Sequence, residues 1–366
     1  MRKSRIAEYL AEMLALRPPI DPMLAKLAAE LPIEGCLYEP KWDGFRALVF
    51  KDGDEVYIQS RDQKPFNRYF PELEEPLRRE LPEACVVDGE IVIARDGKLD
   101  FEALLLRIHP AKSRVALLAK QFPAAYVVWD VLALDGRDLR AATQAERRAE
   151  VERVLGGAQP PVYVTPATRD RSVAEEWFRR FEGAGLDGVI AKPLSLPYVP
   201  GKRVMFKVKH ERTADCVVAG FRWYKGAPGE LVGSLLLGLY DDEGVLHHVG
   251  VTSAFKRAER ARLAKALEEL RDGALAGHPW RHWAESSGEM QRMPGGSSRW
   301  NAGKDLSWEP LRLERVCEVA YDHLQGDRFR HATQFRRWRP DRSPRDCRYA
   351  QLEVTPAFEL ADIFGR

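Results

Sequence analysis

Residues 36–50 read Cys-Leu-Tyr-Glu-Pro-Lys-Trp-Asp-Gly-Phe-Arg-Ala-Leu-Val-Phe, and this stretch determines how the rest of the chain is interpreted. Pro40 disfavours a helix at the residue before it, which predicts a short extended run ahead of Lys41. Asp43-Gly44 predicts a tight turn. The apolar, β-prone run at 45–50 predicts a buried strand. Lys41 is therefore expected on stiff backbone between two strands.

A lysine held in this way has two interpretations. Free lysine has a pKa of about 10.4, so it is protonated and unreactive near neutral pH. Neighbouring cations or a dry pocket lower that pKa and make the amine nucleophilic. A lysine beside a turn is more commonly a solvated surface charge, so the remaining sequence has to decide between the two.

The composition is that of an ordinary soluble protein, with 366 residues, 45% of them hydrophobic and 31% charged. This length predicts two or three domains. No apolar run is long enough to span a membrane, and the N-terminus lacks a signal-peptide core, so a cytoplasmic protein is expected. The 5 cysteines are scattered without a Cys-x-x-Cys pair, which excludes a zinc ribbon or finger and indicates free thiols.

Positive charge is concentrated in two stretches, although the net charge is only +2. Residues 202–212 and 323–350 are rich in lysine or arginine, and aromatic residues interleave with the arginines of the second stretch. Local basic patches on a near-neutral protein indicate contact with phosphate or nucleic acid. A solvated charged face is the alternative.

Carboxylates interrupt apolar runs that are otherwise predicted to be buried strands. Glu90 lies within 86–93 and Asp187 within 186–192. A carboxylate inside a buried strand is costly unless it is paired or binds a cation. Lys207 and Lys209 are predicted to share one face of the following strand, which is unfavourable without an anion between them. Full solvent exposure of both lysines is the other solution.

The string Lys-x-Asp-Gly-x-Arg at 41–46 resembles the motif of covalent nucleotidyltransferases, which comprise DNA ligases, RNA ligases and mRNA capping enzymes. The longer string at 39–46 is most similar to bacterial ATP-dependent DNA ligases. Further stretches follow in the order of that superfamily's motifs, and the resemblance covers the chain from about residue 20 to 350. These stretches are Ser60-Arg61, Asp88-Gly89-Glu90, Tyr126-Val-Val-Trp129-Asp130, Asp187-Gly188-Val189-Ile190-Ala-Lys192, Lys207-Val-Lys209 and Arg339-Pro-Asp341-Arg342.

The resemblance and the strand pattern together predict an α+β fold. Residues 1–209 are expected to form an adenylation (nucleotidyltransferase) domain, ATP-grasp-like, with antiparallel sheets, helices and a short N-terminal helix at 3–16. Residues 210–214 are expected to be a hinge linker. Short strands and a single helix predict that 215–366 form a β-barrel of the oligonucleotide-binding (OB) type.

The resemblance implies that Lys41 attacks the α-phosphate of ATP, forms a lysine–AMP phosphoramidate and releases pyrophosphate. It implies that Lys207 and Lys209 hold that phosphate and lower the pKa of Lys41, and it adds Asp43 to the catalytic residues. Glu90 and Asp187 are the implied ligands of Mg²⁺ (or Mn²⁺), because hard cations prefer carboxylate oxygens. Contact with a ribose hydroxyl is the alternative role of Glu90.

Further residues are implied to contact the nucleotide. Trp129 would stack on adenine, although a core tryptophan is the favoured interpretation from the sequence alone. Arg339 and Arg342 would close over the pyrophosphate, and the barrel would then swing away to admit DNA. The full implied set is Glu39, Arg46, Arg61, Glu90, Trp129, Lys192, Lys207, Lys209, Arg339 and Arg342.

Two positions depart from the family pattern. Asp187 stands where most ligases have glutamate, a longer carboxylate. Arg342 stands where lysine is usual, so a planar guanidinium replaces a point charge.

Two rival functions stay open. An RNA ligase or a GTP-using capping enzyme would share the fold and differ in the base bound or the strand sealed. A nucleic-acid-binding protein without catalysis would leave Lys41, Glu90 and the two later lysines unexplained. The sequence has no Gly-x-x-x-x-Gly-Lys-Ser/Thr loop and no zinc finger of the NAD⁺-dependent ligases, so ATP is the expected donor.

The resemblance implies a minimal bacterial ligase, close to the C-type ligases of actinobacteria and the ligase module of end-joining enzymes. Its expected activity is sealing of 3′-OH/5′-phosphate nicks in duplex DNA through a Lys41–AMP intermediate and a DNA-adenylate. A role in DNA repair is expected, with a repair polymerase, a primase-polymerase or end-joining factors as partners. A nucleoid-associated monomer that does not bind membranes is expected.

Overall fold

The computed structural model describes residues 14–32, 34–209, 212–282, 307–322 and 324–352. They fall into two compact units, one holding the described residues up to 209 and the other those from 212 to 352. The helix predicted at 3–16 lies outside the described residues except for 14–16. None of the described helices is long and apolar enough to cross a membrane.

The first unit contains a seven-stranded sheet whose central strands are antiparallel, in the order β4-β3-β5-β7-β8. The short strand β6 pairs with β5, and β9 pairs in parallel with β7. The strands are β3 (Phe45–Asp52), β4 (Glu55–Ser60), β5 (Ala84–Arg95), β6 (Lys98–Leu99), β7 (Ala124–Leu134), β8 (Arg137–Asp138) and β9 (Val162–Val164). The hairpins predicted at Asp52-Gly53 and Asp96-Gly97 are confirmed.

A four-stranded sheet with the order β1-β11-β10-β2 completes the first unit. Its strands are β1 (Leu24–Leu27), β2 (Cys36–Pro40), β10 (Val189–Pro193) and β11 (Arg203–Val208). Strand β1 runs parallel to β11, whereas β10 is antiparallel to both of its neighbours. Lys41 follows β2 directly and precedes β3, so the nucleophile candidate lies where the chain passes from one sheet to the other.

Strand β3 is buried on both of its faces. Ala47 and Val49 belong to one hydrophobic cluster, and Leu48 and Phe50 belong to another on the opposite face. Side chains alternate between the faces of a strand, so a strand covered on both sides reads as a continuous apolar run. This explains why residues 45–50 lack the polar alternation of a half-exposed strand.

Helices of the first unit cover its sheets. They are α1 (Glu74–Glu80), α2 (Phe101–Leu106), α3 (Lys112–Gln121), α4 (Gln144–Leu155) and α5 (Arg171–Arg180). Helix α4 begins with a capping box, in which Thr143 and Glu146 bond to each other's backbone N–H groups. The first turn of α4 is thereby fixed, and Arg147 and Arg148 in that turn are buried.

The second unit is a small barrel with the strand order β14-β13-β12-β16-β19. The N–H of Thr333, just before β19, donates to the carbonyl of Val251 at 2.9 Å, which joins the two edge strands. This confirms the predicted OB-type barrel. Its elements are β12 (Arg212–Trp223), β13 (Val232–Tyr240), β14 (Leu246–Thr252), α6 (Arg257–Leu267), β15 (Glu309–Pro310), β16 (Val316–Tyr321), β17 (Leu324–Gln325), β18 (Arg328–Phe329) and β19 (Gln334–Trp338).

Some boundaries differ from those predicted. Strand β12 begins at Arg212, so residues 212–214 of the predicted linker pair with β16 instead. The strand predicted at 328–339 is divided, because β18 belongs to a separate hairpin with β17 before the chain reaches the barrel edge. The helix predicted at 254–272 is shorter and ends in a 3₁₀ turn.

Gly89 allows β5 and β7 to approach closely, and its replacement tests this packing. A Cβ atom at Gly89 would lie 2.4 Å from the carbonyl oxygen of Val127. We expect Gly89→Ala to lower the free energy of unfolding by about 1–3 kcal/mol, measured by urea denaturation. Gly157→Ala is the control, because no described atom lies within 4 Å of that Cβ position. An unchanged Gly89→Ala midpoint would contradict the close approach.

Candidate active site

Lys41 is tied to a distant segment by its own backbone. Its N–H donates to the carbonyl of Gly188 at 2.8 Å, and the N–H of Asp187 donates to the carbonyl of Lys41 at 2.9 Å. Gly188 has φ +130°, and a Cβ there would lie 2.1 Å from the carbonyl oxygen of Val208. Only glycine fits this position, which fixes Asp187 beside Lys41.

The carboxylate of Asp187 joins two lysines. Its Oδ2 contacts the Nζ of Lys41 and lies 3.0 Å from the Nζ of Lys209. Asp187 is only 7% exposed, whereas the Lys41 side chain retains 18% exposure. The Lys41 side chain is therefore partly accessible to solvent, whereas the carboxylate that contacts its Nζ is buried.

Several cations surround this pair. The pKa of Lys207 is lowered, first by burial and then by the charges of Lys209, Lys41, Arg203 and Arg61. Each of these charges is therefore close enough to act on Lys207. Clustered cations with few carboxylates among them form a site for a polyanion such as a triphosphate.

Glu90 lies on the other side of the turn that follows Lys41. Its Oε1 accepts a hydrogen bond from the N–H of Gly44 at 3.1 Å. Burial raises the pKa of Glu90 to about 8, although the charges of Lys41 and Arg46 oppose that rise. Asp43 adds to the increase because its negative charge is nearby. Glu90 is thus held neutral near pH 7 until a cation favours its ionised form.

Arg46 is clamped by a buried carboxylate. Its Nε donates to Asp88 Oδ1 at 3.0 Å, and one terminal nitrogen donates to Asp88 Oδ2 at 2.6 Å. The hydroxyl of Tyr198 also donates to Asp88 Oδ2, at 2.8 Å, and accepts from the N–H of Met23 at 3.0 Å. A bidentate pair of this kind fixes the direction of the guanidinium.

Trp129 is half-buried and lies among charges. The guanidinium of Arg46 is 5.4 Å from the centroid of its ring, and the Nζ of Lys192 is 5.7 Å from it. Lys192 in turn contacts Glu39 Oε2 at 2.7 Å. The predicted stacking residue therefore lies close to three predicted nucleotide contacts, which are Arg46, Lys192 and Glu39.

Arg339 and Arg342 belong to the second unit. Arg339 donates to both oxygens of Asp215 at 2.9 and 3.0 Å, and the Nε of Arg342 lies 3.2 Å from Asp215 Oδ2. Arg339 also forms an ion pair with Asp341 at 2.8 Å. The two arginines that were predicted to contact the pyrophosphate are therefore bound by one carboxylate, that of Asp215 on β12.

The carboxylates near Lys41 fit a hard cation in donor type. Among the residues that the structure describes, no group of three or more His, Cys, Asp or Glu side chains forms a ready metal cage. Mg²⁺ does not require one, since it commonly binds through one or two carboxylates together with substrate phosphates and water. The raised pKa of Glu90 also fits, because a bound cation would favour its ionised form.

Three supporting residues were missed by the sequence interpretation. Asp88 and Tyr198 orient Arg46, and Arg148 lies 3.8 Å from Glu39. Asp88 carried a signal, since it is a carboxylate inside a predicted buried strand. Arg148 carried none, because helix α4 reads as a charged surface helix.

Comparison with known proteins gives consistent matches. The family model described as ATP dependent DNA ligase domain matches residues 22–209, and the one described as ATP dependent DNA ligase C terminal region matches 228–342. DNA ligase C2 of Mycolicibacterium smegmatis is 56% identical over 94% of this chain and 97% of its own length. DNA ligase C of Mycobacterium tuberculosis is 53% identical over 96% of this chain and 98% of its own length. A solved structure from work on Lig E DNA ligases matches 87% of this chain and 99% of its own, with TM-score 0.55 and 18% identity, which supports the fold.

The pKa of Glu90 predicts how stability depends on pH in metal-free buffer. The folded state keeps this proton up to about pH 8, whereas the unfolded chain loses it near pH 4.5. Between these values the folded state binds the extra proton, so wild-type stability falls as the pH rises. We expect Glu90→Gln to gain on the order of 2–5 kcal/mol relative to wild type from pH 4.5 to 8.

The measurement is urea unfolding of both proteins across that pH range. Glu55→Gln, at an exposed glutamate, controls for loss of a carboxylate and should follow the wild-type trend. A difference between Glu90→Gln and wild type that stays constant with pH would show that Glu90 is ionised throughout.

Proposed function

The chain belongs to the ATP-dependent DNA ligases, and on that basis we propose which of its residues carry out each step. The family uses ATP and seals nicks in duplex DNA. The observation that carries the proposal is the contact between Lys41 and Asp187 inside the cluster of Lys207, Lys209 and Arg61.

In the first step, Lys41 Nζ attacks the α-phosphorus of ATP. A nitrogen–phosphorus bond forms, the bond to pyrophosphate breaks, and the amine loses a proton. The proton passes to solvent. Asp187 Oδ2 contacts that nitrogen, which supports Asp187 as the group that orients the amine. Lys207 and Lys209 are proposed to neutralise the phosphoryl oxygens, which is the main need of phosphoryl transfer.

Glu39, Trp129 and Lys192 are proposed to hold the adenine, with Trp129 stacking on the base. Arg46 and Arg61 are proposed to contact the ribose or phosphates. The clamp from Asp88 supports a fixed direction for Arg46, because the pair is bidentate.

Mg²⁺ is proposed to bind Glu90 and Asp187, and Mn²⁺ would suit the same oxygens. The cation supplies charge neutralisation at the phosphates. Asp43, which precedes the Gly44 N–H that bonds Glu90, is proposed to shape the turn and to act on Glu90 through its charge.

We propose that residues 1–209 form the adenylation domain, that the hinge predicted at 210–214 lies at the start of that range, just before β12, and that the barrel follows. Arg339 and Arg342 are proposed to contact the pyrophosphate when the barrel closes. Their ion pairs with Asp215 support a preorganised pair of guanidinium groups.

The later steps use the DNA ends. The 5′-phosphate at the nick attacks the AMP phosphorus, which frees Lys41 and leaves a DNA-adenylate. The 3′-hydroxyl then attacks the 5′-phosphate, the strand is sealed and AMP departs. We propose that the chain acts as a monomer in DNA repair at the nucleoid, with a repair polymerase, a primase-polymerase or end-joining factors as partners.

Replacement of Lys41 tests the nucleophile. We expect Lys41→Ala to form no AMP adduct with ATP, whereas wild type gains the mass of one AMP, measured by intact mass spectrometry after pyrophosphate treatment. Lys64→Ala removes an exposed lysine and should behave as wild type. A GMP adduct from GTP would instead indicate a capping enzyme. Efficient sealing of nicked RNA but not DNA would indicate an RNA ligase.

Removal of divalent cations tests the proposed metal. With EDTA we expect the rate of Lys41 adenylation by ATP to fall by about 10²-fold or more, and Mg²⁺ or Mn²⁺ to restore it. Glu90→Gln should raise the Mg²⁺ concentration needed for half-maximal rate. An adenylation rate unaffected by EDTA would remove the metal from the first step.

A further inference from the structure

Arg148 is buried beside the proposed adenine site and is fixed at two points. Its Nε donates to Glu152 Oε1 at 2.7 Å, and one terminal nitrogen donates to the carbonyl of Thr165 at 2.9 Å. The other terminal nitrogen lies 3.8 Å from Glu39 Oε1. The capping box at Thr143 fixes the turn of α4 that carries Arg148, so this direction is set by the helix.

Glu39 and Arg148 each have a buried polar atom that makes no hydrogen bond to any residue the structure describes. These atoms are Oε1 of Glu39 and the terminal nitrogen of Arg148 that faces it. Glu39 is 2% exposed and Arg148 is 8% exposed. The two atoms face each other as an ion pair beyond hydrogen-bonding distance, so each keeps the capacity to form a hydrogen bond with a polar ligand.

The pair lies near the proposed stacking ring, because Lys192 contacts both Glu39 and the face of Trp129. A 6-aminopurine offers an N–H donor beside a ring-nitrogen acceptor, which complements a carboxylate beside a guanidinium. A 6-oxopurine offers a carbonyl oxygen instead of the amino group, and that oxygen would face the Glu39 carboxylate.

We propose that Arg148 is a positioning residue that acts through Glu39 and makes the enzyme select 6-aminopurine over 6-oxopurine nucleotides. It does so by holding the Glu39 carboxylate ionised and aimed at the purine edge. This inference rests on the proposed function of Glu39 and Trp129 in nucleotide binding.

The charges around Glu39 give the expected dependence on pH. Burial raises the pKa of Glu39, Lys192 of β10 and Arg148 of α4 oppose that rise, and Asp130 of β7 adds to it. Removal of Arg148 therefore leaves Glu39 protonated up to a higher pH. A protonated carboxyl can donate to a 6-oxo group, so selectivity in such a variant should fall as the pH falls.

The experiment measures formation of the Lys41 adduct with ATP and with inosine triphosphate from pH 6 to 9. It compares wild type with Arg148→Met, Arg148→Lys and Arg153→Met. We expect Arg148→Met to lower the ratio of kcat/KM for ATP to kcat/KM for inosine triphosphate by about tenfold near pH 7, mainly by raising KM for ATP. At pH 9 the ratio of this variant should be partly restored. Arg148→Lys should keep most of the selectivity, because it keeps the charge. Arg153→Met is the control, because the Arg153 side chain is 58% exposed on the same helix, and it should leave the ratio unchanged.

Several results would overturn the proposal. These are a wild-type ratio in Arg148→Met at every pH, equal losses for both nucleotides, or the same loss in Arg148→Lys as in Arg148→Met. If thermal melting shows that Arg148→Met is unfolded, the same ratio is measured for Glu39→Gln and Arg148→Lys instead. A wild-type ratio in Glu39→Gln would then overturn the proposal. Wild type that forms no adduct with ATP would instead refute the proposed function itself.

Discussion

The site depends on the hydrogen bonds that tie the backbone of Lys41 to Asp187 and Gly188. They continue the pairing of β2 with β10 beyond the last residue of β2, so the proposed nucleophile extends a sheet and is not part of a free loop. A group on sheet backbone starts from a fixed position. The register of β2 against β10 therefore sets where the Lys41 side chain begins.

The first unit buries charged groups in pairs instead of excluding them. Asp88 holds Arg46, Asp130 holds Arg147, and Glu39 faces Lys192. Desolvation offsets much of the attraction within such pairs, so their net contribution to stability is small. Their geometry has the clearer effect, since each pair fixes the direction of a side chain close to the proposed nucleotide site or beneath it.

The sequence predicted the fold better than it predicted the contacts of the site. The barrel and the main hairpins follow from strand patterning and turn residues, which act locally, whereas the α+β class was predicted with the help of the family resemblance. The pairing of Arg46 with Asp88 depends on the register of β3 against β5, and the approach of Arg148 to Glu39 depends on how α4 packs on a sheet. A single sequence carries no local signal for such distances. Arg148 illustrates this, because its neighbours along α4 are mostly polar.

The carboxylate beside Lys41 also limits how this part of the sequence can change during evolution. Asp187 contacts the Nζ of Lys41 and lies 3.0 Å from the Nζ of Lys209, so two lysines from different parts of the chain share one buried carboxylate. A substitution at Asp187 would leave both lysines without this partner at once. We therefore expect the three positions to vary together and not one at a time.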